Sequence, residues 1–364
     1  MPQIFYLISV VFLVYSTVQA YEKATTKEDL ETAWEKYQAA FPLVIQSKNK
    51  AHSYESRKSN FFKTHYEITK HNNNNTSMYE MEHNIFSVMS DDEKKNYFGA
   101  IPPNPISNRK TIRYLRKTTD ASTALSIRQL PTFIDFRNDP CMQPVKNQAS
   151  CGSCWAFSAT AVIEFGKCIR NGIKVTLSEQ QLVDCDTVNA GCNGGWYDDA
   201  WKYLASAGGQ ATASSYPYRG VKGTCSLKAA IIGAILSLSS PIRPIVSKDV
   251  TTMMRLLHQK RLVSTVVAIT NSFLNYRERK YIFLPVWKTP NIRSGVYTDS
   301  NCGVSNLGYH AMTIVGYGTL NGLNYWVIRN SWGAGWGSAG YVLFQRGANL
   351  CNVEDWASTA NVVG

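Results

Sequence analysis

No cysteine occurs before position 141, no five like charges stand in a row, and no apolar stretch after the first twenty residues is long enough to cross a bilayer. Each absence excludes something. The net charge of +12 comes from 38 Lys and Arg against 26 Asp and Glu, spread along the chain and not interleaved with aromatics. That argues against a nucleic-acid partner, which needs a basic groove with stacking rings. The one long apolar run, Ile4 to Tyr15, is too short for a hydrocarbon core of about 30 Å. It is followed by small or polar residues ending Val18-Gln19-Ala20. This reads as a secretory signal over 1–20, although its n-region lacks Lys and Arg. The expected product has no membrane span and enters the secretory pathway, lysosomal or extracellular. At 44% hydrophobic and 18% charged, the remainder is a globular chain with length for one large domain or two ordinary ones.

The nine cysteines are Cys141, Cys151, Cys154, Cys168, Cys185, Cys192, Cys225, Cys302 and Cys351. In an oxidising compartment an odd count leaves at least one thiol over, unless it pairs between chains. Their distribution divides the chain. Residues 21–129 hold none, are rich in Lys, Glu and Asn, and repeat apolar residues at near-helical spacing (Trp34, Tyr37, Phe41, then Phe61, Phe62, Ile68). HNNNNTS (71–77) breaks that pattern and carries Asn74 and Asn75 in glycosylation sequons. IPPNPISNRK (101–110) is Pro-rich and expected to be extended. From Leu130 the texture is that of a disulfide-bonded α+β domain. SCWAFSATAVIEFGKCIRNG predicts a buried helix stopped by Gly172. Ser178 and Gln181 have the spacing of a capping box. AMTIVGYG, NYWVIRN and YVLFQRG predict strands. A helical half therefore precedes a β-rich half.

Chemistry concentrates in NQASCGSCWAFS (147–158). Cys151-x-x-Cys154 is compatible with a redox dithiol, half a zinc site, or two thiols with separate tasks. A thiol at the start of a helix meets the positive end of the helix dipole, which predicts a lowered pKa for Cys154. Its proton partner must be histidine, and only His258 and His310 lie beyond residue 130. His258 follows the apolar pattern Met253, Leu256, Leu257 and reads as a surface residue. His310 opens an apolar strand that can hold its ring. Asn330, at the end of the next strand, has the amide to orient that ring, with Trp332 to shield the contact.

These segments resemble the papain family of cysteine proteases. PVKNQASCGSCWAFS, LSEQQLVDC, GCNGGW, SYPYRG, YHAMTIVGYG and YWVIRNSWGAGWG occur in that family's order, from Leu130 to about Trp356. The separations of His310 and Asn330 from Cys154 slightly exceed the about 130–150 residues usual there, which insertions explain. The resemblance is to a cathepsin L-like preproenzyme. It implies a two-lobe α+β fold, one lobe helical and one barrel-like, over 130–364, behind an inhibitory helical propeptide over 21–129. It also implies Cys154 as nucleophile, His310 as acid and base, Asn330 as orienter and Gln148 as oxyanion donor. Substrate contacts would come from Gly152, Gly194, Gly195, Trp196, Ala311, Trp332 and Trp356, the last near the floor of a shallow apolar pocket that also includes Tyr197. The implied bridges are Cys151–Cys192, Cys185–Cys225 and Cys302–Cys351, leaving Cys141–Cys168 as a fourth and Cys154 free. No cofactor or metal is implied, and the expected partners are peptide or protein substrates and the propeptide itself, on a monomer. Arg57, Phe61, Ile68 and Asn72 fit part of the ERFNIN helix pattern of such propeptides, while Ser53 and Thr64 depart from it. Asn84 and Phe86 fit the short motif that follows, and Glu82 and Val88 do not. Protonation of propeptide carboxylates is expected to loosen the block in acid.

Three departures stand out. Ala149 replaces a glycine after the oxyanion glutamine. Tyr309 precedes the histidine where Asp or Asn is common. Residues 278–292 (ERKYIFLPVWKTPNI) interrupt an otherwise continuous pattern and read first as a segment foreign to the mature protein, such as an unspliced stretch, and second as a specificity or partner-binding loop.

Overall fold

The computed structural model describes residues 27–42, 53–103, 130–227, 230–278 and 295–364. The expected signal, the cleavage region up to Gln129 and the insertion beyond Glu278 lie outside the described residues. Two compact units result: one runs to Thr69 and includes His83–Ser90, the other comprises Lys70–Glu82 and Asp91–Gly364.

The first unit is built from helices α1 (Lys27–Ala40) and α2 (Tyr54–Asn73) and a 3-10 turn, Ile85–Val88. Trp34 and Tyr37 lie three apart on α1, share one face, and pack with Phe61 and Val88 into the unit's core. The Tyr37 hydroxyl donates to the Asn84 carbonyl, and the Trp34 indole N–H donates to the Tyr54 hydroxyl. The predicted ERFNIN positions Arg57, Phe61 and Ile68 form the buried side of α2. Asn84 caps the 3-10 turn, its side chain accepting from the Phe86 N–H.

Within this apolar unit sits a histidine pair. His65 Nδ1 and His83 Nε2 are 3.0 Å apart with the rings stacked, and His83 Nδ1 meets the Ser87 hydroxyl at 3.0 Å. Phe61 stacks on His83, and Tyr37 meets its edge. Burial, and then the neighbouring His65, push His83 down to about 4, and burial also lowers His65. An unfolded chain protonates histidine near pH 6.5. Between about pH 6.5 and about pH 4 the unfolded state therefore binds more protons, so this unit loses stability as pH falls through that window and levels off below it. With its partial exposure allowed for, His83 accounts for about 2–3 kcal/mol. Hydrogen-exchange protection of α1 and α2, corrected for intrinsic rates, should fall roughly 30- to 100-fold between pH 7 and pH 4.5. Equal protection at both would refute this. Of the carboxylates, Glu82 pairs with Arg277 in an exposed ion pair, which is weak.

The second unit begins with β1 (Glu80–Met81) and α3 (Asp91–Lys95). Asn72, at the end of α2, clamps β1 by donating to the Met81 carbonyl and accepting from its N–H. A helical layer follows: α4 (Cys154–Asn171), α5 (Glu179–Cys185) and α6 (Tyr197–Ser206). As predicted, α4 ends at Gly172, which adopts φ 73° and donates its N–H to the Cys168 carbonyl. Ser178 caps α5 by accepting from the Gln181 N–H, but only half of the capping box forms. The Gln181 side chain is drawn instead to the Gly209 carbonyl and the Ala211 N–H, a tertiary pairing that outcompetes the local one.

Strands β2 (Ile134–Asp135), β5 (Ile242–Pro244), β6 (Val263–Ala268), β8 (Val296–Tyr297), β9 (Tyr309–Leu320), β10 (Leu323–Arg329), β11 (Tyr341–Gln345) and β12 (Ser358–Ala360) form one sheet. Its order is β5-β12-β6-β9-β10-β11-β8, with β2 also on β9. Among the described residues it remains open and does not close into a barrel. Two further pairs are β3 (Gln210–Ala211) with β4 (Ile232–Ala234), and β1 with β7 (Tyr276–Arg277). Helix α7 (Val250–His258) buries Met253, Leu256 and Leu257 and leaves His258 exposed, as its pattern predicts; α8 is the short Asn271–Leu274.

The predicted bridges Cys141–Cys168, Cys151–Cys192, Cys185–Cys225 and Cys302–Cys351 are all present, with Cys154 the free thiol. The contact that positions the site is small. The Ser158 hydroxyl, one turn into α4, donates to the Met312 carbonyl at 2.7 Å and meets the Ser264 hydroxyl at 2.8 Å. That pins the start of α4 against the start of β9.

Candidate active site

Because α4 is pinned there, the Cys154 thiol lies at 3.4 Å from the Ala311 N–H, which donates to it. His310, the residue before Ala311, is fully buried. Its Nε2 is 2.8 Å from Asn330 Oδ1 on the strand end next door. An amide oxygen only accepts, and the Ser331 N–H already fixes that oxygen at 2.7 Å. His310 Nε2 therefore carries the proton and Nδ1 keeps its lone pair. Trp332 stacks on the imidazole at 4.5 Å, the shielding expected of it.

Gln148 is wholly buried and held from both sides. Its backbone N–H donates to the Ser331 carbonyl, and its Oε1 accepts from the Ser331 hydroxyl at 2.6 Å. Nε2 is thereby aimed outward, donating to the carbonyls of Cys151 at 2.8 Å and Tyr97 at 3.1 Å. Ala149 adopts φ 54°, as its place in a glycine-favouring turn predicts, at a cost of about 1 kcal/mol. Its N–H is satisfied by Asn147 Oδ1.

The groove is occupied, as an inhibitory propeptide implies, but the residues that fill it were not foreseen. Residues Tyr97–Ile101 run through it, leaving the turn after α3 and forming one parallel bridge, Ala100 to Gly195. Phe98 tilts over Trp332 and meets the edge of His310. Gly195 donates to the Gly99 carbonyl at 2.8 Å and accepts from the Ile101 N–H at 3.0 Å, and Ala100 donates to the Tyr309 carbonyl at 3.0 Å. Glycine is required on both sides of this approach. A Cβ on Gly194 would stand 2.9 Å from the Gly99 oxygen, and one on Gly152 would stand 3.1 Å from the Phe98 oxygen. The only local hint was the Pro-rich extended character just after Ile101. Trp196 stacks on Tyr197, and Trp356 meets Tyr309 edge-on.

Occupation changes the electrostatics. Burial pushes the Cys154 thiol up to about 11, against backbone N–H groups of Ala311, Gly99, Trp155 and Cys154 itself. Burial likewise pushes His310 down to about 4, against its bond to Asn330. The expected lowering of the thiol pKa is therefore not met in this state. The helix start is there, but exclusion of water costs the thiolate more than the dipole and N–H groups return. With these shifts both groups are neutral near pH 7. Sequence reasoning also missed a buried ionic cluster behind it, in which Lys146 reaches Glu164 and Glu179 at 2.6 Å each.

Comparison with known proteins gives the same picture. The model of the papain family cysteine proteases matches residues 130–361. Oryzain gamma chain from Oryza sativa is 39% identical over 63% of this chain, which spans 59% of the rice protein. Pro-cathepsin H of Bos taurus is 33% identical, covering 86% of each chain. Among solved structures, digestive procathepsin L2 from Tenebrio molitor larval midgut aligns with a TM-score of 0.72 at 30% identity, over 91% of this chain and 99% of that one. The proform of the ragweed pollen cysteine protease Amb a 11 aligns at 0.71 and 28% identity, over 93% and 96%. A matched peptidase region, proform neighbours and an upstream segment lying in the groove converge: this chain belongs to the papain family of cysteine proteases and is built as a proform.

Proposed function

We propose that the chain, once its proregion is removed, hydrolyses peptide bonds as an endopeptidase through a thioester on Cys154. His310 takes the thiol proton, donates it to the leaving amine, and then activates water for deacylation. Asn330 holds the imidazole in the tautomer that leaves Nδ1 basic. Gln148 Nε2 and the Cys154 N–H receive the charge that develops on the carbonyl oxygen, worth about 3–4 kcal/mol of barrier per donor. The observation that supports this most is the Tyr97 carbonyl on Gln148 Nε2: a peptide carbonyl already sits where a scissile one would.

In this reading residues 1–20 are a leader, 21–129 the inhibitor and 130–364 the peptidase, with proteins or peptides as substrates. Asn74 and Asn75 are both exposed, as acceptors of glycan must be. A secreted or lysosomal site of action fits four disulfides.

The test is mass mapping after acid activation with an epoxide that needs an activated thiol. A single adduct on Cys154, on a chain starting near Leu130, is expected. The unprocessed protein should label at least 100-fold more slowly, since its thiol stays protonated near neutral pH. A processed chain that does not label would leave a binding protein in place of an enzyme.

A further inference from the structure

We infer that Tyr218 is a positioning residue for peptide hydrolysis, its hydroxyl tying together the two ends of the loop that carries the oxyanion donors. The inference rests on the donors proposed above, Gln148 Nε2 and the Cys154 N–H, and gives a task to the SYPYRG motif (215–220). Gln148 opens the loop, Ser153 closes it just before α4, and no helix or strand lies between them. Ala149, next to Gln148, adopts φ 54°. The Tyr218 hydroxyl donates to the Gln148 carbonyl at 2.8 Å and lies 2.7 Å from the Ser153 hydroxyl. A carbonyl only accepts, so the phenol proton goes to Gln148 and the second contact uses the proton of Ser153. One phenol oxygen thereby joins the residue that carries the first donor to the residue whose peptide unit carries the second.

Ser153 is given over to this contact. It stands at the N-cap of α4, where a serine ordinarily accepts from an N–H of the first turn. It makes no such cap, is wholly buried, and turns its hydroxyl to Tyr218. The phenol is held in its turn. Its ring meets Phe157, in the first turn of α4, edge-on at 4.9 Å and 85°. The residues beside it are fastened to α5 and its cap: Ser178 donates its hydroxyl to the Tyr216 carbonyl at 2.6 Å, the Tyr216 hydroxyl donates to Asp184 at 3.0 Å, and the Arg219 N–H donates to Gln180 Oε1 at 2.7 Å. Burial pushes the Tyr218 hydroxyl up to about 12, against its bond to Ser153, so the donor persists at neutral and acidic pH. Ser331 takes the Gln148 N–H and Oε1, and Tyr218 takes the carbonyl. Without the phenol, the peptide unit leading into the strained Ala149 is free to turn, and a misplaced donor stabilises the developing oxyanion less.

The full chain should be activated in acid, its sites counted by epoxide titration of Cys154, and two rates measured per site. The first is kcat on a fluorogenic peptide amide, whose carbonyl becomes an oxyanion. The second is alkylation by iodoacetamide, which displaces iodide at a saturated carbon and forms no oxyanion. Tyr218→Phe keeps the ring and should lower kcat about tenfold, with KM and the alkylation rate each within about twofold of wild type. In a Gln148→Ala background the same change should cost about threefold or less, because the donor it positions is gone. Ser153→Ala should repeat the split at about threefold, and it decides the matter if Tyr218→Phe leaves no titratable thiol. A Tyr218→Phe enzyme within about twofold of wild type in kcat overturns the inference. So does alkylation slowed as much as kcat, which would place the effect on the thiol, or a full loss retained in the Gln148→Ala background. A wild-type enzyme that alkylates at Cys154 but cleaves no peptide refutes the peptidase reading instead.

Discussion

Replacing His310 with alanine is expected to lower kcat/KM for peptide hydrolysis by about 10⁴-fold, with the protein still folded. The size follows from the ring serving twice. In the proposed mechanism it removes the proton from the Cys154 thiol, then protonates the leaving amine. Among the described residues neither nearby candidate replaces it: Asn330 Oδ1, 2.8 Å from Nε2, only accepts, and His258 is exposed on α7. Replacing Asn330 with alanine should cost less, about 10²-fold, because the amide positions the ring and does not itself move a proton. The Ser331 N–H bond to Asn330 and the Trp332 stack on His310 give each variant a folding control. Melting curves are expected to stay within a few degrees of wild type while activity collapses. Retention of more than a tenth of the activity in the histidine variant would transfer the proton chemistry to another group.

How much of this was legible beforehand divides along physical lines. Cys154, His310, Asn330 and Gln148 stand in motifs whose chemistry is local: a thiol beginning a helix, a ring beginning a strand, an amide ending the next. The disulfide set followed from the resemblance, and Gly172 and Ala149 from backbone rules, since only φ > 0 makes either position unusual. What was not legible depends on segments distant in sequence meeting in space. The thiol pKa was expected low from the helix start alone, yet the backbone carrying Gly99 closes over it and reverses the sign. Gln181 has the spacing of a capping box, yet the chain near Ala211 claims its side chain. His65 and His83 lie on separate elements and carry no mutual signal in sequence, and packing alone brings them to 3.0 Å. Nor does strand patterning decide whether a sheet closes, which depends on its edge strands.

Gly99→Val is expected to release the block without touching the peptidase machinery. The ideal Cβ at position 99 would lie 1.8 Å from the Gly152 carbonyl oxygen and 2.4 Å from its carbon. Those are backbone atoms, and Gly152 is itself held by its N–H bond to the Cys192 carbonyl, beside the Cys151–Cys192 bridge. The wall does not yield, so the segment must lift. Lifting breaks the Gly195 to Gly99, Ala100 to Tyr309 and Ile101 to Gly195 hydrogen bonds together, because three consecutive residues share one rigid backbone. At about 0.5–1.5 kcal/mol each, the loss is about 1.5–4.5 kcal/mol, or roughly 10- to 2,000-fold in the population with an open groove. The measurable consequence is the rate at which the intact zymogen reacts with an epoxide at Cys154 near pH 7, which should rise by that factor. Gly303→Ala is the matched control, since a Cβ there meets nothing within 4 Å and the labelling rate should not change. A Gly99→Val zymogen that labels no faster than wild type would mean that the Tyr97–Ile101 segment does not govern access to the thiol. Latency would then have to reside in the neutral state of the Cys154–His310 pair itself.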